Sequence, residues 1–484
     1  MSIGRNRIVL IAGAGLAGSL LAVMLARRGF RVEVLERRPD LRKTAGSAGR
    51  SINLALSTRG IRALAEVGLD SKVLATTLPM AGRRMHALDG TLSAQPYGLP
   101  GQAIRSVSRR LLNEALLDAA EAEAGVRLRF GVRVESVDLD ATTATIRIDD
   151  GGAGEAETLH ADLIVGCDGI GSAVRDAMAA RAAAGGATFE FEQLTLDHGY
   201  KELELPPTAS GDFALDPTGL HIWPRRDYML IALPNADRTF TATLFAQHDG
   251  PDSFADAGEG AQARAYFEAR FADALPLIPD FEAQWARNPT SSLATIACFP
   301  FHHGASVALV GDAAHAVVPF YGQGMNAAFE SASIFCQLLD RHGGDLAAAL
   351  PAFSAERKDD ADAIRQLALD NFVEMRANVA DVRFLQRRRL GRLIEARAGE
   401  AFRSLYSMVT FSNIPYATAH RLGQARERWL DQALGGLRDD EGAQITSATG
   451  HDVAWNALAD ALADAVARGD VPAEIRQPAE AEET

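Results

Sequence analysis

A chain of 484 residues is too long for one simple hydrophobic core and predicts two or three interlocked domains. Its 49 basic and 63 acidic residues leave a net charge of −14, which argues against nucleic-acid binding because phosphates require a basic surface. No apolar stretch approaches the roughly 20 residues that span a bilayer, and no signal peptide is visible, so we expect a soluble cytoplasmic protein without membrane insertion. The three cysteines lack metal-ligand spacing, so we expect free thiols and no metal site.

The first 36 residues have the pattern of a strand, a helix and a second strand. Apolar runs at 7–12 and 31–36 flank a helical segment at 16–28, and the turn before the helix reads Gly-Ala-Gly-Leu-Ala-Gly. Such glycines allow a pyrophosphate to approach the helix N-terminus, and a carboxylate that ends the second strand can bind a ribose. The unit therefore predicts dinucleotide binding, with NAD and FAD both open at this point. The expected contacts are Gly13, Gly15, Leu16, Ala17, Gly18, Glu36 and Arg37.

Residues 80–97 have the pattern of a β-hairpin that turns at Asp89 and Gly90. A two-residue loop would place Arg83 and Tyr97 on opposite faces of the sheet, because side chains alternate along a strand. A three-residue loop at 89–91 would pair residue 83 with residue 97, and Gly90 can adopt the left-handed conformation that such loops need. We predict an odd-length loop, with Arg83 and Tyr97 on one face of a second sheet.

The chain then returns to the first sheet twice. Cys167-Asp168-Gly169 and Gly311-Asp312 each follow an apolar strand, whereas 198–245 is rich in strands and predicts the second sheet, which supplies a substrate pocket. We therefore expect a Rossmann-like domain from 1–79, 101–185 and 296–345, and a substrate domain from the hairpin at 80–100 and from 186–295. A helical region at 346–434 completes the pocket, and an acidic peripheral tail follows at 435–484.

Two helical patterns stand out in the C-terminal third. The basic run at 387–389, with Arg392, predicts one solvated helix face. The tail predicts an amphipathic helix that packs on the protein body, because its acidic polar face disfavours anionic membranes. Its apolar face would consist of Val453, Trp455, Leu458, Leu462 and Val466.

Three motifs in this order resemble the fingerprints of flavoprotein aromatic hydroxylases of the 4-hydroxybenzoate hydroxylase fold. They are the glycine turn, the segment at 167–175, and the segment at 310–326. The resemblance implies an α/β protein in which a Rossmann-like FAD-binding domain is interleaved with a β-sheet substrate domain and followed by a helical C-terminal region. It also implies that Asp312 binds the FAD ribityl chain and that the amides of Met325 and Asn326 face the flavin edge, where negative charge develops on reduction.

Shorter segments are similar to the kynurenine monooxygenase family, and they lie at 49–57, 106–109, 198–200, 220–224, 231–235 and 408–412. By this resemblance Ala55, Arg109 and Val134 join the FAD contacts. That family holds the substrate amino acid with an arginine, two tyrosines and an asparagine, and the matching residues are Arg83, Tyr97, Tyr406 and Asn371. The apolar wall of the pocket would consist of Leu220, Ile231, Leu233, Phe245 and Phe320.

Two of these residues, and His315, can also be interpreted without the family. The planar guanidinium of Arg83 can bind a carboxylate through two hydrogen bonds. Asn371 lies inside an apolar helix stripe and needs a partner, which is either a buried backbone group or, as the resemblance favours, the ligand. His315 is either a catalytic base or a structural histidine, and we favour the structural role. We assign no general base, because the arylamine nitrogen of that family's substrate already activates its aromatic ring.

The reaction implied by the resemblance uses FAD, NADPH and O2. NADPH reduces a non-covalently bound FAD, O2 adds to give a flavin C4a-hydroperoxide, and one oxygen atom is transferred to the ring of L-kynurenine to give 3-hydroxykynurenine. Because no second Rossmann fingerprint is present, we expect NADPH to bind only transiently. The alternatives are a related hydroxylase that acts on a substituted kynurenine, an anthranilate or another aromatic acid, and a flavin-binding interaction module without turnover.

Overall fold

A computed structural model describes residues 3–4, 6–44, 53–148, 156–185, 188–377, 382–438, 445 and 450–476, without the side chains of 374–377. Residues 49–52 of the segment at 49–57 therefore lie outside the described residues. The strands, in chain order, are Ile8–Ala12 (β1), Arg31–Glu36 (β2), Asn53–Leu56 (β3), Leu78–Met80 (β4), Gly82–His86 (β5), Leu92–Pro96 (β6), Ile104–Ser108 (β7), Val126–Phe130 (β8), Val132–Asp138 (β9), Thr143–Ile148 (β10), Ala156–His160 (β11), Leu163–Gly166 (β12), Glu190–Leu205 (β13), Gly219–Arg225 (β14), Tyr228–Pro234 (β15), Phe240–Gln247 (β16), Ser291–Phe299 (β17), His302–His303 (β18) and Val307–Leu309 (β19).

The helices follow the strands of the first sheet and dominate the C-terminal third. In chain order they are Leu16–Arg27 (α1), Thr58–Glu66 (α2), Asp70–Leu74 (α3), Arg109–Ala122 (α4), Ala173–Ala183 (α5), Phe254–Ala257 (α6), Ala261–Arg270 (α7), Phe281–Arg287 (α8), Asp312–His315 (α9), Gly324–Arg341 (α10), Leu346–Ala377 (α11), Val382–Ala398 (α12), Leu405–Thr410 (α13), Tyr416–Leu434 (α14) and Asp452–Arg468 (α15).

The first sheet has the strand order β18-β19-β12-β1-β2-β8, and its strands are parallel except for β18. The chain leaves β1 towards β2 on one side, and β12 lies on the other side, so β1 marks the switch in strand order. Ligands of such sheets bind in the crevice at the carboxyl ends of the strands beside this switch. The turns after β1, β12 and β19 carry the three sequence motifs, and the parallel strands bring all three to one edge.

The second sheet has the order β17-β13-β16-β15-β14-β5-β6, and β14 and β5 form its parallel pair. Alternate residues of β15 face opposite sides. Met229, Ile231 and Leu233 face a large cavity, whereas Leu230 and Ala232 pack in the apolar core that this sheet forms with α7 and α8. The two sheets and the helical C-terminal region confirm the predicted α/β fold. Strand β17 extends to residue 299 and thus crosses the expected boundary at 295.

The hairpin of β5 and β6 has an odd-length loop, but its register differs from the prediction. Arg83 pairs with Gln95 rather than with Tyr97, and Ala87 pairs with Thr91, so the loop is 88–90 instead of 89–91. Gly90 has a φ of 83°, as such a loop requires. Because the shift is two residues, the facing of every side chain is preserved. Arg83 and Tyr97 therefore still share one face.

The C-terminal helices pack on one another, and the basic run of α12 is not a solvated face. Arg387 forms an ion pair with Asp431 of α14 at 2.9 Å, and Arg389 pairs with Asp452 of α15. Both arginines are half-buried. For these two arginines the prediction was wrong, because α14 and α15 bring carboxylates to that surface, which the sequence of α12 cannot reveal; Arg392 is exposed, as predicted.

Helix α15 packs against α12, and Trp455 is completely buried in their shared apolar cluster. The tail thus packs on the body as predicted, but Val453 does not belong to the packed face, since it is 76% exposed. In the part of the chain that the structure describes, every helix is too short or too polar to cross a membrane.

Candidate active site

A continuous cavity of about 650 Å³ lies between the carboxyl edge of the first sheet and one face of the second sheet. Loops after β1, β2, β12 and β19 line one part of it. Strands β5, β14, β15 and β16, together with α13, line the other part. The cavity therefore joins the predicted cofactor residues and the predicted substrate residues in one space.

The structure gives a different reason for glycine at each of the three positions in the first turn. Gly13 has a φ of 98°, which side chains rarely tolerate, and a Cβ atom there would lie 2.5 Å from the carbonyl oxygen of Cys167. A Cβ atom on Gly18 would lie 2.0 Å from the carbonyl oxygen of Gly13, so this glycine allows α1 to pack closely on the turn. A Cβ atom on Gly15 would meet no atom within 4 Å, because Gly15 faces the cavity. The turn thus leaves space for a group that approaches the backbone.

Glu36 ends β2 beside this turn. One of its carboxylate oxygens accepts the N–H of Ala14 at 3.0 Å, and the other accepts the N–H of Arg38 at 3.0 Å. Leu16, Ala17 and Arg37 also line the cavity. Gly18, in contrast, lies behind the lining, where it serves helix packing.

Asp312 begins α9 directly after β19, and its side chain lines the cavity. Desolvation within the protein raises the pKa of its carboxyl, and Arg109, which also lines the cavity, acts in the opposite direction. Among the described residues no hydrogen-bond donor reaches the Asp312 carboxylate. Asp168 faces the same space, and its Oδ1 atom is buried without a hydrogen-bond partner in the described part of the chain. A buried acceptor such as the Asp168 Oδ1 atom normally has a partner, and Asp312 is open to the same cavity, so both carboxylates fit a bound ligand that carries hydroxyl groups.

Helix α10 directs its N-terminus towards the cavity. Met325 belongs to the lining, whereas the side chain of Asn326 is completely buried behind it. That side chain accepts the N–H of Ser57 at 3.0 Å and donates to the carbonyl oxygen of Ala55 at 2.8 Å. Asn326 thus connects the helix to β3, whose Ala55 lines the cavity together with Val134 of β9. The first-turn amides of α10 provide a positive end for a developing negative charge.

The other part of the cavity contains an arginine beside two stacked tyrosines. The rings of Tyr97 and Tyr406 stack with centroids 5.1 Å apart, and the guanidinium carbon of Arg83 lies 5.6 Å from the first ring and 5.9 Å from the second. Burial raises the pKa of both tyrosines, and Arg83 opposes this effect. Both therefore remain phenols at neutral pH and can donate hydrogen bonds. Tyr321 stacks on Tyr406 at 5.8 Å.

Apolar side chains form the wall beside this cluster. The predicted residues Leu220, Ile231, Leu233, Phe245 and Phe320 all line the cavity. The ring of Phe320 lies 5.1 Å from that of Phe245, and it stacks on Phe372 of α11 at 4.5 Å. The wall is therefore built from both the sheet and the C-terminal helices.

Asn371 and His315 lie outside the lining. Asn371 is buried, and its side-chain amide donates to the carbonyl oxygen of Phe320 at 2.6 Å, which is the backbone contact that the sequence left open. His315 is buried against Ser331, whose Oγ atom lies 2.9 Å from its Nε2 atom, and burial lowers its pKa to about 4. This environment fits the structural role of His315.

Several lining residues were not anticipated from the sequence. Met229 could have been identified from the sequence, because it precedes Ile231 by two residues on the same strand. Tyr200 of β13 lies opposite Phe245, and only strand pairing reveals this. Gln323 also lines the cavity, and its side-chain oxygen accepts from the Tyr416 hydroxyl at 3.0 Å, a contact between distant segments that the sequence does not indicate.

Comparison with known proteins agrees with this geometry. The FAD binding domain family matches residues 7–368. Kynurenine 3-monooxygenase of Myxococcus xanthus (strain DK1622) is 44% identical over 450 residues, which cover 93% of this chain and 95% of that protein. Kynurenine 3-monooxygenase of Stenotrophomonas maltophilia (strain K279a) is 44% identical over 462 residues, which cover 94% of this chain and 96% of that protein.

Two solved structures are similar in fold. The tetrameric form of 2-methyl-3-hydroxypyridine-5-carboxylic acid oxygenase has a TM-score of 0.63 at 23% identity and covers 84% of this chain and 99% of its own. PqsL from Pseudomonas aeruginosa has a TM-score of 0.59 at 22% identity and covers 76% of this chain and 96% of its own. The family match and the two relatives, in addition to the similarity in fold, identify the family of this chain. The chain belongs to the kynurenine 3-monooxygenase family of FAD-dependent monooxygenases.

Proposed function

We propose that this protein hydroxylates L-kynurenine at ring carbon 3, with bound FAD, NADPH as the reductant and O2 as the oxygen donor. The observation that carries the proposal is the single cavity, in which the FAD-type loops and the Arg83–Tyr97–Tyr406 cluster face one another. When bound, FAD supplies the redox chemistry, since it takes electrons from NADPH and activates O2. The protein then has to bind, orient and enclose the substrate.

The residues that would hold FAD lie along the first sheet. Gly15 would leave room for the pyrophosphate beside α1, Glu36 would bind the adenosine ribose, and Asp312 would bind the ribityl hydroxyls through a carboxylate that faces the cavity. Cys167 also lines the cavity, but burial raises the pKa of its thiol. A protonated thiol is a poor nucleophile, so we expect FAD to be held without a covalent bond.

The arginine–tyrosine cluster would bind the amino-acid end of kynurenine. A guanidinium presents parallel donors that match the two oxygens of a carboxylate. The phenol groups of Tyr97 and Tyr406 add donors on the same side, because burial keeps them protonated. Asn371 would act through Phe320, whose backbone it holds, and we place it among the residues that shape the site.

The apolar wall would place the aromatic ring between Phe245, Phe320 and the strands of the second sheet. Such a wall excludes water and leaves the ring few orientations, so that one carbon is presented to the oxidant. No residue is required as a general base, because the amino group of the substrate activates the ring. The buried position of His315 outside the lining agrees with this view.

A substrate panel tests the proposal. The FAD-loaded protein is mixed with NADPH, O2 and either L-kynurenine, a ring-substituted kynurenine or anthranilate, and both NADPH oxidation and products are followed. We expect kynurenine to stimulate NADPH oxidation and to give a product one oxygen atom heavier, with little peroxide. Hydroxylation of anthranilate with no reaction of kynurenine would refute the substrate assignment, and NADPH oxidation that yields only peroxide would refute hydroxylation.

A further inference from the structure

The face of the second sheet that points away from the cavity carries a row of four polar groups. The Nδ1 atom of His86 lies 2.7 Å from a carboxylate oxygen of Asp273, and its Nε2 atom lies 2.8 Å from the Nδ1 atom of His221. The Nε2 atom of His221 lies 2.9 Å from the backbone carbonyl oxygen of Asp216. Both imidazoles are buried, with exposures of 3% and 4%. The row is thus enclosed at its centre and bounded by an acceptor at each end.

Counting protons shows that two neutral imidazoles cannot complete this row. The outer nitrogens must both donate, since a carboxylate and a carbonyl only accept. Each neutral ring has one N–H, so the two inner nitrogens would then face each other as lone pairs at 2.8 Å. A third proton between the inner nitrogens turns this repulsive contact into a hydrogen bond. The observed geometry therefore belongs to a pair that carries one proton more than two neutral rings.

The groups around His86 have opposing effects on its pKa. Burial lowers the pKa of His86, Asp273 raises it, and Arg225, which donates to the His86 carbonyl oxygen, lowers it. Asp273 also accepts the indole N–H of Trp223 at 2.9 Å and is 40% exposed. Both carboxylate oxygens of Asp273 lie 2.9 Å from the indole nitrogen, which can only donate, so Asp273 acts as the acceptor at this end of the row and we place the third proton on the rings.

The groups around His221 are Asp216 and Arg84, which form an ion pair with each other at 2.8 Å. Burial lowers the pKa of His221, and the Asp216 carbonyl oxygen acts in the opposite direction. The short distance between the inner nitrogens of His86 and His221 favours a pair that shares one proton over a pair of neutral rings. Without that proton, two acceptors would remain face to face where water cannot separate them.

This row lies behind the strand that carries Arg83. His86 is on β5 and His221 on β14, and in the ladder between them Arg83 lies opposite Leu220, the residue before His221. Strand β6 is the outermost strand of this sheet in the described chain, so the hairpin is attached to the body of the sheet through β14 alone. The histidine pair therefore fastens the Arg83 strand to its neighbour from the far side.

We propose that His86 and His221 share one proton and are positioning residues that hold Arg83 in place for the substrate carboxylate. The role of Arg83 rests on the proposed function, whereas the shared proton does not. Loss of the proton on raising the pH opens the inner contact and loosens the β5–β6 hairpin. The expected consequence is weaker substrate binding at high pH, with FAD still bound.

The proton count is tested first, by nitrogen-15 NMR of the FAD-loaded protein with labelled histidine and without substrate. The coupling across the inner hydrogen bond identifies the pair in the wild-type protein, so no variant is needed. We expect three of the four ring nitrogens to be protonated near neutral pH. Two protonated nitrogens from about pH 6 to pH 8, with no coupling between the rings, would overturn the proposal.

The positioning role is tested with two variants that remove the inner contact and keep the outer donors; both also lose ring contacts, such as the stacking of His86 on Trp223, so the pH dependence of the effect is what identifies the shared proton. His86→Asn keeps a donor towards Asp273, and His221→Gln keeps a donor towards Asp216, but neither reaches the other ring. The dissociation constant of L-kynurenine is measured between about pH 5.5 and pH 9 and divided by the wild-type value, which cancels titration of the substrate. His160→Gln is the control, because His160 is exposed on β11.

We expect the ratio for both variants to be about tenfold at low pH, in line with loss of a buried hydrogen bond, and to fall towards one as the wild-type protein loses its proton. The control ratio should stay near one throughout. A variant ratio that does not change with pH would overturn the positioning role while leaving the proton count intact. If kynurenine fails to bind the wild-type protein, the proposed substrate is wrong, and the NMR result still decides whether the proton is shared.

Discussion

Replacing Arg83 with alanine tests the central contact of the proposed site. The variant loses the charged partner of the substrate carboxylate, and loss of one partner of a buried charge pair costs about 2 to 5 kcal/mol. Arg83 is only half-buried, so we expect the lower part of this range, about 2 to 3 kcal/mol, or a roughly 30- to 150-fold weaker affinity for kynurenine. FAD affinity should change little, because the Arg83 strand belongs to the second sheet and the glycine turn to the first.

The assay is a titration of the FAD-loaded protein with kynurenine, with Arg84→Ala as the matched control. Arg84 is the next residue on β5, points to the other face and pairs with Asp216 at 2.8 Å. Arg83→Lys should restore only part of the affinity, since an ammonium group lacks the parallel donors of a guanidinium. Equal effects of Arg83→Ala and Arg84→Ala, or near wild-type affinity of the Arg83→Ala variant, would refute the carboxylate contact.

Three further changes test the cofactor site and the tail. Asp312→Ala should weaken FAD retention, measured by ultrafiltration, without lowering the Tm of the FAD-free protein, because no described residue bonds its carboxylate. Gly15→Ala should weaken FAD binding with the fold intact, since the added methyl group enters the cavity, whereas Gly18→Ala should also lower the Tm, because its Cβ atom meets a carbonyl oxygen at 2.0 Å. Trp455→Ala should cost about 3 to 5 kcal/mol in denaturant unfolding, and Val453→Ala about 0.5 kcal/mol or less. Undiminished FAD retention in the Asp312 variant, an unchanged Tm for Gly18→Ala, or equal costs for the two tail variants would contradict these expectations.

The residues that line the first-sheet part of the cavity could largely be identified from the sequence. Gly13, Gly15 and Asp312 each lie in a turn directly after a strand, and parallel strands place such turns at one edge whatever the rest of the chain does. The facing of Ile231 and Leu233 followed from strand alternation in the same way. These features depend on neighbours in the chain, which the sequence contains.

What the sequence left open depends on contacts between residues that are far apart in the chain. The hairpin register differs from the predicted one by two residues because Ala87 rather than Leu88 closes the loop, and only the predicted odd length and the facing of the side chains held. Asn371 had two possible partners, and its contact with the Phe320 carbonyl oxygen depends on the position of Phe320 against α11. The stacked pair of Tyr97 and Tyr406 joins residues from the hairpin and from α13.

The polar groups also separate what the local sequence determines from what contacts between distant residues decide. The arginines of α12 were expected in solvent, but α14 and α15 bring carboxylates to them. The row from Asp273 to His221 combines two strands and a loop whose sequences give no sign of one another. A local pattern determines which face a side chain occupies, because backbone geometry repeats along the chain. The partner that the side chain meets there is decided by tertiary packing, since burial makes each polar group depend on whichever distant residue lies within hydrogen-bond distance.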